Sequence, residues 1–358
     1  MQSFLFINTF FEEELSSDLS FTPLALLEKH PIYFQLQYLS FLLADSLETP
    51  LISHPPDPLY IHHLKNLGFT PPPFQLLSSI STPLPLSSWG ASKSLMQWAR
   101  EKKCPYKIPT LDVVKKVHSK EFSFLSSPQL EFSKLIRTPE ELIQWWNSFK
   151  GPKALKTLYG SSGKGHFISY DLPEDLSKAL AFFKKNQKTS PSLIAQPWVE
   201  RVLDFSTQWH IQEDGSYSYL GATLCENSSR GIYHRSTTGP EELLFKDQID
   251  FFHEHLSYAR KAIENLKAHS FFGNVGFDSF LYKHPQTKKI QLYPIVEINA
   301  RKTMGWVALK IHKKIPTDGL LSIRYESKPE NLLGLLPSQK ESKPFSKQLF
   351  LETNPICF

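Results

Sequence analysis

Cysteine is scarce in this sequence, with only three residues among 358. Cys104, Cys225 and Cys357 are odd in number and far apart, which excludes a disulfide framework and the ligand spacing of a zinc site. Long apolar runs are also missing, so we expect no segment that crosses a bilayer. The first residues lack a basic region and soon reach the acidic run 12–14, which favours a first strand over a signal peptide and predicts a cytoplasmic protein.

A strong excess of one charge is missing too, because 40 basic residues face 35 acidic ones. The densest basic stretch, residues 93–120, has no RNA-binding aromatic signature, so a solvated surface is a better interpretation than a nucleic-acid site. No Ser/His/Asp or Cys/His arrangement suggests a side-chain nucleophile. What is present, 41% hydrophobic and 13% aromatic residues, can fill more than one core and predicts two or three domain-like units.

The most informative stretch is residues 156–165, KTLYGSSGKG. Its glycines and serines let backbone N–H groups approach an anion, and Lys156 and Lys164 add positive charge. It is not a P-loop, because Leu158 and Gly165 stand where that motif needs Gly and Ser or Thr, and its glycine order does not fit a dinucleotide fingerprint. Strand-like segments on both sides predict a phosphate-binding hairpin tip, with a flexible surface turn as the alternative.

Two further segments add chemistry to this loop. Residues 192–200 predict an apolar strand broken near Pro197, which frees backbone groups for an adenine ring. Residues 274–282 and 290–299 predict a strand pair that brings Asp278 near Glu297, with Asn299 on the same face as Glu297. Three oxygen ligands on two neighbouring strands predict a Mg²⁺ site that water and nucleotide phosphates complete.

Other patterns predict the surrounding elements. A strand over residues 4–10, a helix over 35–44, a strand over 50–53 and a helix over 59–67 indicate a small parallel βαβα sheet. Thr138, Pro139 and Glu141 predict a capped helix start. A long helix is predicted over about residues 241–269, and the apolar run 348–351 suggests a further strand or a segment packed on the preceding domain.

Taken in order, these motifs resemble the ATP-grasp superfamily of carboxylate–amine ligases over about residues 110–310. The resemblance implies an α/β (α+β) protein with an ATP-grasp fold, in which two α+β subdomains grip ATP after a small Rossmann-like parallel domain. The expected boundaries are 1–110 for that first domain, 111–200 for the subdomain with the phosphate lid, 201–325 for the subdomain with the magnesium site, and 326–358 for a C-terminal extension.

The resemblance also implies roles for individual residues. The ATP site would contain Lys120, Lys156, Ser161, Ser162, Gly163, Gln196, Pro197, Trp198, Val199 and, at the ribose, Asp204 or Glu200. The ligands of Mg²⁺, or alternatively Mn²⁺, would be Asp278, Glu297 and Asn299, and the catalytic residues Arg301 and Lys156. Gln196 replaces the family's usual acidic hinge residue but still offers a carbonyl oxygen.

The implied reaction forms ADP, activates a carboxylate as an acyl phosphate and joins it to an amine. Its partners would be small-molecule acid and amine substrates, without nucleic acid or membrane, and a homodimer is compatible with the family. Arg230, His234 and Arg235 are candidates for gripping the acid, because arginine suits a carboxylate; the alternative is ordinary solvated loop charge. A kinase of a small hydroxylated molecule and a silent ATP-binding regulatory module are the competing functions.

Overall fold

The computed structural model describes residues 2–16, 22–160, 165–227, 233–315, 317–327, 334–340 and 343–354. Ser161, Ser162, Gly163 and Arg230, which the sequence assigns to the ATP and acid sites, lie outside these residues. Within the described ranges, no helix is both long enough and apolar enough to cross a membrane.

The N-terminal part contains a parallel sheet flanked by helices. Its elements are β1 (Ser3–Phe6), α1 (Phe11–Ser16), α2 (Pro23–Lys29), α3 (Pro31–Leu36), α4 (Leu39–Leu43), β2 (Glu48–Ile52), α5 (Pro58–Asn66), β3 (Gln75–Leu76), β4 (Leu86–Ser88) and α6 (Lys93–Glu101). The strand order is β3-β2-β1-β4, and each pairing is parallel. Parallel strands are covered on both faces, and Phe4, Leu5 and Phe6 are accordingly buried. The predicted parallel sheet is confirmed.

Two predicted elements in this part were wrong in extent. The strand predicted over residues 4–10 ends at Phe6, because the following turn is held by Asn8, whose side chain donates to Gly90 O at 2.8 Å and accepts from Trp89 N at 3.0 Å. The helix predicted over residues 35–44 is divided into α3 and α4. The buried Gln37 lies at this break, where its side chain accepts from Ser53 N at 2.7 Å.

A four-stranded antiparallel sheet follows. Its region comprises α7 (Leu111–His118), α8 (Lys120–Leu125), β5 (Lys134–Ile136), α9 (Pro139–Asn147), β6 (Lys153–Thr157), β7 (His166–Ser169), α10 (Asp175–Asn186) and β8 (Leu193–Pro197), and the strand order is β5-β8-β6-β7. Thr138 caps α9 by accepting from Glu141 N at 3.2 Å, as predicted. The hairpin predicted around the glycine loop is confirmed, since Lys156 of β6 pairs with His166 of β7.

A seven-stranded antiparallel sheet forms the third part. The elements are β9 (Glu200–Ile211), β10 (Tyr217–Asn227), β11 (Tyr233–Thr238), α11 (Glu241–Phe245), a 3₁₀ turn (Lys246–Gln248), α12 (Ile249–Ala268), β12 (Gly273–Lys283), β13 (Ile290–Asn299), α13 (Met304–Lys314), β14 (Leu320–Glu326), β15 (Gln339–Lys340), β16 (Lys343–Pro344) and β17 (Gln348–Asn354). The order β13-β12-β9-β10-β11-β14-β17 confirms the hairpin predicted for β12 and β13.

The C-terminal elements bring one correction and one confirmation. The long helix predicted over residues 241–269 is interrupted at Lys246, whose φ of 45° no continuing α-helix can contain, so α11 and α12 are separate. The apolar run near the C-terminus forms β17, which pairs with β14 at the edge of the large sheet. The extension therefore completes the sheet of the preceding domain.

Helix α13 joins the large sheet to the N-terminal domain. Trp306, Val307 and Ile311 share one buried cluster with Leu5 of β1 and Ile323 of β14. The loop between β13 and α13 is also fixed to the first domain. Lys302 N donates to Trp89 O at 2.8 Å, and its buried ammonium donates to Ser87 Oγ at 2.9 Å. The end of β13 is thereby held where all three parts meet.

Candidate active site

A cavity of about 860 Å³ lies at this junction. Its walls include most of the described residues that the sequence assigns to ATP, the metal or catalysis: Lys120, Lys156, Gln196, Trp198, Asp204, Asp278, Glu297, Asn299 and Arg301. They come from helix α8, the four-stranded sheet, the seven-stranded sheet and the loops beside them. The tertiary structure therefore brings together residues that are far apart in the sequence.

The carboxylates of Asp278 and Glu297 lie on adjacent strands, directly opposite each other in the β12–β13 register. Asn299 Nδ2 donates to Asp278 Oδ2 at 2.9 Å. Burial, followed by the neighbouring charge of Glu297, raises the pKa of Asp278 to about 6. A buried carboxyl beside a second acid is stabilised by a nearby cation, so the electrostatics of this pair favour a bound cation.

Lys120 links this acidic pair to the glycine hairpin. At the first residue of α8, its ammonium forms an ion pair with Glu297 Oε1 and donates to Gly160 O at 3.0 Å. Burial alone would raise the pKa of Glu297, but the Lys120 ammonium outweighs it and the pKa is lowered. Glu297 therefore stays ionised beside Asp278. Through Lys120 it is connected to the hairpin that is expected to bind phosphate.

Lys156 and His166 face the cavity from the hairpin. Burial, then the charges of Arg201 and Lys120, lower the pKa of Lys156 to about 7. Within the described ranges, the Lys156 ammonium has no ion-pair partner within 4.0 Å. Burial and the charge of Lys156 lower the pKa of His166 to about 3, and its buried Nε2 has no hydrogen-bond partner among those residues. An anion bound at this end of the cavity would therefore lie close to a positive charge and to a polar atom that lacks a partner among the described residues.

The segment between β8 and β9 gives the cavity an aromatic and polar wall. Arg201, which the sequence analysis did not single out, pairs with Asp204 at 2.7 Å and lies over the rings of Phe280 and Trp198 at 4.3 and 5.2 Å. Burial raises the pKa of Asp204. Glu200 instead pairs with Lys283 at the surface, so Asp204 is the acid of the two that lines the cavity.

Arg301 approaches the cavity from the end of β13. Its guanidinium forms an ion pair with Glu12 of α1, through Nε at 2.7 Å and through Nη2. His118 Nδ1 accepts from Ala300 N at 3.2 Å, so the neutral ring carries its proton on Nε2, which lies 3.5 Å from Glu12. Sequence reasoning missed Glu12 as a site residue; the acidic run 12–14 was its only signal.

Comparison with known proteins gives similarity in structure alone. No protein-family model matches the sequence, and no curated protein matches it. Staphylococcus aureus N5-carboxyaminoimidazole synthetase, complexed with ADP, has a TM-score of 0.56 at 10% identity, covering 98% of this chain and 93% of that one. Campylobacter jejuni biotin carboxylase, in complex with β-γ-ATP, has a TM-score of 0.56 at 12% identity, covering 98% and 87%.

The match to a third structure covers a smaller share of both chains. The biotin carboxylase domain dimer of Hydrogenobacter thermophilus 2-oxoglutarate carboxylase, in complex with MgADP, ADP and bicarbonate, has a TM-score of 0.50 at 15% identity. The match covers 71% of this chain and 66% of that one. All three are similar to this chain in fold over the residues that the matches cover.

The chain has an ATP-grasp fold.

Several residues predicted for the ATP-grasp site do not line the cavity. Pro197 lies within β8 opposite Lys153, and Val199 packs against a neighbouring apolar cluster. His234 is exposed, and Arg235 pairs with Glu226 and Glu352 at 3.3 and 3.5 Å. The predicted acid-binding basic group is therefore outside the cavity as far as the described residues extend.

Four residues of β10 and β11 that sequence reasoning did not select line the cavity: Cys225, Asn227, Tyr233 and Ser236. Ser236 is three positions after Tyr233, so simple strand alternation would place the two side chains on opposite faces. A register shift in the β10–β11 pairing near Asn227 changes that alternation. Such a shift has no clear mark in the sequence.

The residues present fit a magnesium nucleotide. Two carboxylates and one amide offer hard oxygen atoms, an incomplete shell of the kind that Mg²⁺ completes with water and phosphate oxygens. No group of three or more His, Cys, Asp or Glu side chains in the described ranges could hold a metal by itself. Among the described residues, the Lys156 ammonium has no ion-pair partner and His166 Nε2 has no hydrogen-bond partner, so both groups suit a bound phosphate.

Proposed function

We propose that this protein is an ATP-dependent, ADP-forming ligase that activates a substrate carboxylate as an acyl phosphate and joins it to an amine. The observation that carries the proposal is the convergence of Lys120, Lys156, Asp278, Glu297 and Arg301 on one cavity of an ATP-grasp fold. Similar structures described above contain ADP, and one contains MgADP with bicarbonate, a small carboxylate-like acid.

In this proposal, Asp278, Glu297 and Asn299 would hold Mg²⁺, or Mn²⁺ in its place. The metal would neutralise charge on the nucleotide phosphates. Lys120 and Lys156 would contact those phosphates, and the resemblance assigns the same role to Ser161, Ser162 and Gly163, which lie outside the described residues. Gln196 and Trp198, which line the cavity, would surround the adenine, and Asp204 would accept from the ribose.

The chemistry then needs positioning and charge neutralisation more than a protein nucleophile. A carboxylate oxygen of the acid attacks the γ-phosphorus, the bond to the β–γ bridging oxygen breaks, and ADP leaves. The amine lone pair attacks the acyl carbon, the C–O bond to phosphate breaks, and the nitrogen loses a proton. Arg301 would orient the transferred phosphoryl group, while the enclosed cavity limits attack by water.

Turnover with pooled substrates tests this function. The protein is incubated with ATP, Mg²⁺ and pools of small acids and amines, and ADP and product masses are measured. We expect ADP release that requires both an acid and an amine, with a product whose mass equals their sum minus water. ADP with a phosphorylated alcohol would identify a kinase instead, and ATP binding without turnover in any pool would support a regulatory module.

A further inference from the structure

The ion pair between Glu12 and Arg301 uses only part of the guanidinium. Arg301 Nε donates to Glu12 Oε1 at 2.7 Å, and Nη2 donates to the same oxygen. Nη1 donates to the backbone oxygen of Lys302 at 3.0 Å. A guanidinium carries five N–H groups, so these three bonds leave one N–H on each terminal nitrogen. Two such donors suit two oxygens of one phosphoryl or carboxylate group.

The backbone on both sides of Arg301 is held by other elements. Ala300 N donates to His118 Nδ1 at 3.2 Å, and Lys302 N donates to Trp89 O at 2.8 Å. The Arg301 side chain lines the cavity and is 15% exposed. Because the backbone is held, the direction of the guanidinium depends on the groups that the side chain itself contacts.

The residues beside Glu12 are anchored in the first domain. Phe11 is fully buried, and its ring packs so closely on Gly90 that a Cβ added there would lie 2.7 Å from it. Glu14 accepts from Ser94 N at 3.0 Å and from Ser94 Oγ at 2.9 Å. These contacts on both sides give the Glu12 carboxylate a defined position relative to the first domain.

We propose that Glu12 is a positioning residue, which holds the Arg301 guanidinium so that the N–H groups left on its two terminal nitrogens bind the γ-phosphoryl group together. This inference rests on the proposed function and deepens it, because it makes the first domain set the direction of Arg301. The Glu12 carboxylate offsets the charge of Arg301, so the contribution of Arg301 to binding is mainly two directed hydrogen bonds. The position of the Glu12 oxygen should therefore matter more than its charge.

Binding of ADP and of adenylyl imidodiphosphate (AMP-PNP), an ATP analogue that resists hydrolysis, measures this contribution. The two ligands differ by the γ-phosphoryl group. The dissociation constant of ADP divided by that of AMP-PNP, here called the γ-ratio, therefore reports contacts to this group. Calorimetric titration of the full chain with each nucleotide and Mg²⁺ gives both constants. Arg301→Met removes the donors, and we expect the γ-ratio to fall about tenfold or more.

Two substitutions at Glu12 separate position from charge. Glu12→Asp keeps the charge but withdraws the carboxylate by one methylene, which displaces the guanidinium, and the γ-ratio should fall about fivefold. Glu12→Gln loses the charge but keeps an acceptor oxygen at the same reach. Because arginine offers only donors, the amide oxygen faces it, and the γ-ratio should stay within about twofold of the wild-type value. A γ-ratio that changes in Glu12→Gln but not in Glu12→Asp would assign Glu12 a purely electrostatic role and overturn the inference.

Glu13→Asp is the matched control. Glu13 is the next residue of α1 and lines the same cavity, but its carboxylate accepts from the Tyr33 hydroxyl at 3.1 Å and does not contact Arg301. The same methylene is lost and the same charge is kept, so a general effect of shortening an acid on α1 would appear in both variants. The γ-ratio in Glu13→Asp should equal that of the wild type.

Each γ-ratio compares two ligands on one protein, so a partly destabilised variant still reports. An unchanged γ-ratio in Glu12→Asp, or an equal fall in Glu13→Asp, would overturn this inference and leave the nucleotide site intact. No binding of ADP to the wild type would overturn the proposed function and this inference with it.

Discussion

The basic residues at the two ends of the cavity differ in their ion pairing. At the hairpin end, Lys156 has no ion-pair partner among the described residues, and His166 is neutral. At the end facing the first domain, Arg301 is already paired with Glu12, which His118 also approaches. The electrostatics of the hairpin end thus suit an anion, whereas the Arg301 guanidinium already has a carboxylate partner.

The largest effect is expected at the carboxylate pair between the two ends. Glu297→Gln keeps the volume but removes the charge that faces Lys120 and the proposed metal, so turnover at limiting Mg²⁺ should fall about 100-fold or more. The measurement is steady-state ADP release across a Mg²⁺ series. Glu264→Gln, which alters an exposed acid of α12 paired with Lys267, is the control and should match the wild type. Unaltered turnover in Glu297→Gln would refute the ligand assignment.

The hairpin end should show a pH dependence. Because the pKa of Lys156 lies near 7, its ammonium is lost as pH rises through 7, and a bound anion raises that pKa again. We expect ADP affinity to fall by up to about tenfold per pH unit above 7, with proton uptake on binding. Calorimetry in buffers of different ionisation enthalpy measures that uptake. Lys156→Arg keeps its charge over this range, so the ADP affinity of this variant should not change with pH. An equally steep fall of ADP affinity in Lys156→Arg would mean that another group takes up the proton.

The same pKa shift predicts a stability change of opposite sign. The unfolded chain holds the Lys156 proton up to about pH 10.4, whereas the folded protein releases it near pH 7. Between these values the unfolded state binds more protons, so this group increases the free energy of unfolding as pH rises. Urea unfolding of the wild type and Lys156→Met from pH 6 to 9 should diverge, and parallel curves would contradict a buried Lys156.

Substitutions at the end of the cavity that faces the first domain should lower the stability of the protein. Glu12→Gln leaves the partly buried Arg301 guanidinium without its ion pair, and we expect the free energy of unfolding to fall by about 2 kcal/mol. Arg301→Met and the double variant complete a double-mutant cycle. The changes in the free energy of unfolding caused by the two single substitutions should not be additive. Urea unfolding measures each variant. Additive effects would mean that Glu12 and Arg301 are not coupled across the domain boundary.

The smallest effect is expected at Arg235. It pairs with Glu226 and Glu352 and does not line the cavity, so Arg235→Gln should change the KM for the acid by less than about twofold. The acid identified in the pooled assay is used for this measurement. A tenfold rise in its KM would instead support the role that the sequence resemblance implies for Arg235.

Local sequence was sufficient for much of the fold and of the site. Alternating apolar residues and a short turn predicted the β12–β13 hairpin, so the approach of Asp278 to Glu297 followed from pairing alone. The same holds for Lys156 beside the glycine loop and for the Thr138 cap. Helix breaks at Gln37 and Lys246 were missed, because long-range hydrogen bonds and a positive φ override helical periodicity there.

The sequence by itself determined the order of the motifs and the chemistry of their side chains, because strand pairing over short turns depends on neighbouring residues. Only the tertiary structure decided which charges meet across domains. Glu12 and Arg301 are 289 positions apart, and no local pattern relates them. The orientation of Gln196 likewise depends on Gln129 and Tyr293, which come from two other parts of the chain. Hydrogen bonds of this kind depend on how the sheets and helices pack together.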